Sequence, residues 1–280
     1  MKILILGSTG ILGKTLFFYL KSKKINFSCI SRKKDNPLYL KNFRDISKLK
    51  KMIINESPTH LINCLGVTKF NNSYHIKDQT KYINTIFPRK LAKFCFQKKI
   101  YFIHISTDCV FSGKKGNYSE TSRKDAKDLY GKSKAMGEVK NKYCSTIRTS
   151  FIGPETKTKK SLLNWFLSQK NKVSGYDKAF FSGLTSLELS KIICKFFLSN
   201  NKYFNKIFNI SGHKISKFLL LSKIKKVFKK RILIIRSSNF KIDRSLNSLK
   251  FQKSSRYKIK SWNRMLIELK IFMKKNKYKV

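Results

Sequence analysis

MKILILGSTGILGKTLFFYL, Met1 to Leu20, sets the apolar run Ile3–Leu6 directly against a turn holding Gly7, Gly10 and Gly13, and then a helical pattern from Ile11. A turn this tight needs residues without Cβ: the backbone must come close to a pyrophosphate, and the next helix must aim its N-terminal N–H groups and partial positive charge at it. Glycines alone are weak evidence, because turns collect them. Lying between a strand and a helix, the GxxGxxG spacing predicts a dinucleotide site lined by Gly7, Thr9, Gly10, Ile11, Leu12 and Gly13.

Working outward, the second strand, Phe27–Ile30, ends in Ser31-Arg32-Lys33-Lys34. An NAD-selective site places an acidic residue about 20 residues past the glycines to bond the ribose hydroxyls. Cations there suit a 2′-phosphate instead, so Ser31 and Arg32 point to NADPH, with NADH as second choice. FRDIS puts Asp45 and Ile46 where an adenine would lie, and NCLG ends a later strand with Cys64, Leu65 and Gly66 beside the cofactor. Each of these could equally be a loop or helix start.

Strand-like runs then alternate with helical patterns: a helix near Ile46–Ile54, a strand Leu61–Cys64, a helix near Tyr82–Phe96, a strand Tyr101–Ile105, a helix Tyr130–Lys142 and a strand Thr146–Thr149. Such alternation means an α/β protein with a Rossmann-like, doubly wound parallel sheet. Gly153-Pro154 marks a change, so residues 1–152 form the dinucleotide-binding domain. Residues 153–280 form a smaller C-terminal α/β lobe, some of whose strands are free to rejoin the main sheet.

Lys and Arg number 63 against 14 Asp and Glu, a net charge of +49. Nucleic acid is the usual inference from such a charge. Here the lysines are spread over every segment and accompany abundant Ile, Asn and Phe, as an AT-rich coding sequence would give; no specific nucleic-acid partner is expected. The six cysteines are scattered without CxxC, and His60, His75, His104 and His213 stand singly, so no metal site is expected. No run approaches the roughly 18 apolar residues of a membrane span, and no secretory h-region precedes Gly7. A cytoplasmic protein, monomer or homodimer, off the membrane, is the expectation.

The strand Tyr101–Ile105 runs into Ser106-Thr107-Asp108-Cys109, and YGKSK follows at Tyr130–Lys134. Positions i and i+4 share a helix face, so phenol and ammonium point into one space. A phenol, with a pKa near 10, is a poor acid or base at neutrality until a neighbouring cation favours its anion, and Lys134 is placed to supply that cation.

Together these stretches resemble the extended short-chain dehydrogenase/reductases, and more narrowly the dTDP-4-dehydrorhamnose reductase family of nucleotide-sugar 4-ketoreductases. The likeness runs through GSTGILG, INCLG, INTIFPRKLA, STDCVFSGKKGNYSE, YGKSKAMGE, IRTSFIG, FSGLTSLEL and IDRSL. It implies catalytic Thr107, Tyr130 and Lys134, cofactor contacts from Tyr130 and Lys134, and a substrate site with Ser106, Thr107, Asp108 and Phe151. It also implies a nucleotide-sugar substrate held by the C-terminal lobe. The expected activity is NADPH-dependent reduction of a C4 ketone, dTDP-4-dehydro-L-rhamnose to dTDP-L-rhamnose, for cell-surface polysaccharide.

Departures from the family pattern narrow this. Related dehydratases resemble Thr-Asp-Glu at the strand end, and Cys109 replaces that Glu, which disfavours elimination. Phe151 stands where the reductases commonly carry Trp. Trp165, Tyr176 and Phe181 read better as core than as pocket. A nucleotide-sugar epimerase, or a non-catalytic NADP-binding regulatory subunit like that of methionine adenosyltransferase, is the alternative.

Overall fold

Ile3–Leu6 (β1), Phe27–Ile30 (β2), His60–Asn63 (β3), Tyr101–Ile105 (β4) and Cys144–Arg148 (β5) form the main sheet in a computed structural model that describes residues 1–68, 74–155 and 161–278. The strand Ile207–Asn209 lies beside β5, and the order from that edge is Ile207–Asn209, β5, β4, β3, β1, β2. Pairings β1–β2, β1–β3, β3–β4 and β4–β5 are all parallel. Each connection is therefore a crossover, which the helices Ile11–Ser22 (α1), Ile46–Glu56 (α2), Tyr74–Lys81 (α3), Phe87–Gln97 (α4) and Leu129–Met136 (α5) provide. Past β2 the chain turns through Pro37 and runs back alongside it, leaving only the parallel bridge Ser31 to Tyr39 where a doubly wound sheet has its third strand.

Central strands buried on both faces read as continuous apolar runs. Ile3, Leu4, Ile5 and Leu6 are fully buried, and the helices add Leu49, Ile53, Phe87 and Leu91 to the same core. At about 25 cal/mol per Å² of apolar surface, this burial is the main force holding the sheet edge in place.

Several boundaries differ from the sequence reading. β3 stops at Asn63, so Cys64 belongs to the loop beyond it. The helix from Leu129 ends at Met136 rather than Lys142; its C-cap, Gly137, packs so closely on the Asn84 carbonyl that a Cβ there would lie 1.8 Å from it. Ahead of α4, a π-helical turn over Tyr82–Ile86 inserts an extra residue into the helix.

Contacts gather the chain into two units, each built from several segments: Met1–Ser112, Arg123–Arg148 and Ile193–Phe208 in one, Gly113–Ser122, Thr149–Ile192 and Asn209–Val280 in the other. A single cut after residue 152 does not describe them. Within the second unit, Lys172–Tyr176 pairs with Leu233–Ser237, and Ala179–Phe181 lies between Ile215–Ser216 and Ile242–Asp243. Phe181 is buried against Trp262, ring centroids 5.6 Å apart, so it is core; Tyr176 is exposed.

Candidate active site

Gly7 has φ +86°, a left-handed conformation that glycine adopts at little cost. A Cβ on Gly13 would lie 2.2 Å from the Gly7 carbonyl oxygen, so the first turn of α1 can close on the loop only with glycine there. Gly10 begins α1 with no side chain capping it. The uncapped N-terminus and the Cβ-free turn make a cradle that fits a dinucleotide pyrophosphate. Thr9 and Ile11 are half-buried around it and Leu12 is buried.

The other expected cofactor residues divide. A Cβ on Gly7 would lie 3.1 Å from the Leu65 nitrogen and 3.2 Å from the Cys64 carbonyl carbon, so the loop after β3 packs directly on the glycine turn. Gly66, in contrast, has room for a side chain, with Asn84 Oδ1 3.7 Å from its Cβ position. Ser31 is buried and accepts bonds from the Lys33 N–H and Asn36 Nδ2, while Arg32 is exposed beside it. Asp45 accepts a bond from the Lys48 N–H at 3.0 Å; it is the N-cap of α2, and Ile46 is that helix's first residue. Burial pushes the Cys64 thiol up to about 12.

Beyond β4 the backbone turns through Asp108–Val110, and Thr107 caps that turn. Thr107 Oγ1 accepts from the Cys109 N–H at 3.1 Å and donates to Asp108 Oδ1 at 3.1 Å. The Tyr130 hydroxyl is hydrogen-bonded to Thr107. Thr107 and Asp108 are buried, at 7% and 8% exposure.

Tyr130 reaches that position because α5 starts where it does. Asp128 caps the helix, accepting from the Gly131 N–H at 2.9 Å. A Cβ on Gly131 would lie 2.2 Å from the Cys109 carbonyl oxygen, so glycine lets the helix and the strand-end turn touch. One turn on, buried Lys134 donates from Nζ to the Ile105 carbonyl at 2.6 Å.

Burial, then the nearby Cys109 thiol, push the Tyr130 phenol well above its ordinary value; the Thr107 hydrogen bond pulls the other way, and the Asp108 and Asp128 carboxylates add to the rise. The Lys134 amine is turned to the Ile105 carbonyl. Burial also lowers Lys134, to about 8, against opposing pulls from Glu138 and Cys64. The Tyr130 phenol is thus held protonated.

Ser106, expected to touch substrate, donates its hydroxyl to Glu138 Oε1 at 3.0 Å. Phe151 is half-buried in the second unit, on the strand Phe151–Ile152. Asn84 and Ser133 were not legible as site residues. Asn84, in the π-helical turn, exchanges bonds with the Val67 N–H and carbonyl, each 2.9 Å, and donates to Ser133 Oγ at 3.1 Å. It ties the loop after β3 to α5; a polar residue in the otherwise apolar INTIFP was the available signal.

Residues 1–173 match the protein-family model described as RmlD substrate binding domain. The chain is 26% identical over 136 residues to a dTDP-4-keto-6-deoxy-D-glucose reductase of Streptomyces niveus, covering 48% of this chain and 45% of that protein. It is 29% identical over 139 residues to methionine adenosyltransferase 2 subunit beta of Xenopus tropicalis, covering 49% and 41%. The chain spans about half the length of the curated relatives it matches. The crystal structure of dTDP-4-dehydrorhamnose reductase from Bacillus anthracis, in complex with NADP, superposes with a TM-score of 0.82 over 96% of this chain and 98% of that one at 20% identity, a likeness of fold.

Proposed function

The chain belongs to the RmlD substrate binding domain family, and from that premise we propose that it is an NADPH-dependent reductase of the C4 ketone of a 4-keto-6-deoxy nucleotide sugar. The substrate we assign is dTDP-4-dehydro-L-rhamnose, giving dTDP-L-rhamnose for cell-surface polysaccharide. The observation that carries this is the phenol of Tyr130 hydrogen-bonded to Thr107, one helical turn from buried Lys134. The names of the reductases it resembles, one of them in complex with NADP, support the same reading.

A bound nicotinamide cofactor supplies the hydride. Gly7, Gly10, Gly13 and the N-terminus of α1 hold its pyrophosphate, Ser31 and Arg32 its 2′-phosphate, and Lys134 its nicotinamide ribose. Tyr130 gives its proton to the oxygen of the reduced ketone, as a general acid does. Thr107, bonded to the same oxygen, fixes where that proton goes. The second unit, with Phe151, takes the nucleotide sugar. The enzyme works in the cytoplasm, as a monomer or homodimer.

NADPH absorbance followed against dTDP-, UDP- and GDP-linked 4-keto-6-deoxy sugars tests this. The expected result is one NADP⁺ formed per sugar, fastest with the dTDP compound. Redox-neutral interconversion of two sugars would mean an epimerase. Tight NADPH binding with no consumption would mean a regulatory subunit, the reading favoured by the likeness to methionine adenosyltransferase 2 subunit beta.

A further inference from the structure

Glu138 and Arg148 form an ion pair whose side chains are only 1% and 3% exposed. Arg148 Nε donates to Glu138 Oε1 at 2.7 Å and Nη2 to Oε2 at 2.8 Å, a bidentate pairing. Two further donors complete the carboxylate: Ser106 Oγ on Oε1 at 3.0 Å, and Lys124 Nζ on Oε2 at 3.2 Å. The Arg148 guanidinium also lies 5.4 Å from the centroid of buried Phe111.

These contacts converge on one short segment. Ser106 precedes Thr107, Phe111 follows the turn that Thr107 caps, Glu138 sits just beyond α5, and Arg148 ends β5. A buried ion pair is a poor source of stability, because desolvating two charges offsets their attraction. One that costs so much and grips both sides of a reacting hydroxyl calls for another account.

What the pair holds supplies it: Ser106 is bonded to Glu138 and is followed directly by Thr107, whose hydroxyl caps the turn over Asp108–Val110.

We infer that Glu138 is a positioning residue for the reaction: gripped by Arg148, it fixes the Ser106–Thr107 strand end. The inference rests on the reductase reading for its kinetic consequences.

The test compares Glu138→Gln, the double variant Glu138→Gln/Arg148→Gln, and Ser106→Ala with the unmodified protein. NADPH binding is read by fluorescence, and NADPH oxidation is read with dTDP-4-dehydro-L-rhamnose. Ser106→Ala keeps the ion pair and should lower kcat about tenfold, the low end of what a misplaced reacting group costs, with KM and NADPH affinity unchanged. Folded Glu138 variants should lower kcat at least as far, again with NADPH affinity unchanged. The double variant leaves no unpaired buried arginine, so it decides the matter if the single variant does not fold. If the unmodified protein turns over no sugar, the reductase reading fails and takes the inference with it; if it turns over sugar and kcat is unchanged in Ser106→Ala or in a folded Glu138 variant, the inference alone is overturned.

Discussion

The Lys134 ammonium donates to the carbonyl of Ile105 at 2.6 Å, at the point where β4 ends. That bond ties the helix carrying Tyr130 to the strand that delivers Thr107, so the phenol and its hydroxyl partner share one mounting. It also places a cation where 3% of its residue surface meets solvent. Function and stability pull against each other at this residue.

Lys134→Met should expose that conflict. The folded protein holds the amine at about 8, against an ordinary lysine value of 10.5. Between those values the unfolded chain binds more protons, so the burden of the buried charge is fully present below about pH 8 and fades as pH rises to 10.5. The slope is at most roughly 1.4 kcal/mol per pH unit. Methionine carries no such burden, though it leaves the Ile105 carbonyl without this donor, which costs back about 1 kcal/mol. Urea denaturation at a series of pH values should show the unmodified protein gaining on the variant across that window, while the variant loses turnover. A pH-independent difference would contradict it.

Gly131→Ala should damage the site from a distance of one residue. The new Cβ would stand 2.2 Å from the Cys109 carbonyl oxygen and 2.6 Å from Ala126 Cβ. Either α5 or the strand-end turn must shift, costing about 1–3 kcal/mol of stability. Because Tyr130 and Thr107 sit on opposite sides of that contact, kcat should fall more than NADPH affinity. Thermal unfolding and steady-state kinetics together check this; a stable, fully active variant would show that the contact is not needed.

What the sequence made legible was local. The glycine turn and the Tyr130–Lys134 spacing depend on residues within one turn of each other, and periodicity carries that information. Asp45 shows the same locality: an Asp opening a helix has the signature of an N-cap, and it caps Lys48. The strand Lys172–Tyr176 alternates exposed and buried, but its inward positions are Val173 and Gly175, leaving one apolar side chain to announce it. The pairing of Ser106, Glu138 and Arg148 depends on sheet register, which no short window of sequence contains. Nor could the rise of the Tyr130 phenol be read in advance, because burial is a property of the packed site.

Arg32→Asp addresses the cofactor. Arg32 is exposed at the end of β2, next to Ser31, whose hydroxyl is already occupied by Lys33 and Asn36. If the guanidinium meets a 2′-phosphate, the unmodified protein binds NADPH more tightly than NADH. The carboxylate should erase or reverse that preference, by about 1–3 kcal/mol for a lost charge-assisted bond. Fluorescence titration with both cofactors measures it; equal affinities in the unmodified protein would remove the assignment.

Tyr130→Phe should separate proton donation from everything else Tyr130 does. The ring stays, and Thr107 keeps its bonds to Asp108 and to the Cys109 N–H, so folding and NADPH binding should survive. Turnover should fall by about 100- to 10,000-fold, the scale of a general acid. The pH profile of the unmodified protein carries the complementary information. Burial holds the phenol protonated throughout the neutral range, so Tyr130 sets no limit there; Lys134 loses its proton near pH 8, and the rate of ketone reduction should decline as pH rises past that value. Tyr130→Phe should keep that decline on its far smaller rate, because the titrating group is the lysine. A variant reducing the ketone at the unmodified rate would rule out the phenol as donor, and loss of the decline in the variant alone would transfer the titration to Tyr130 itself.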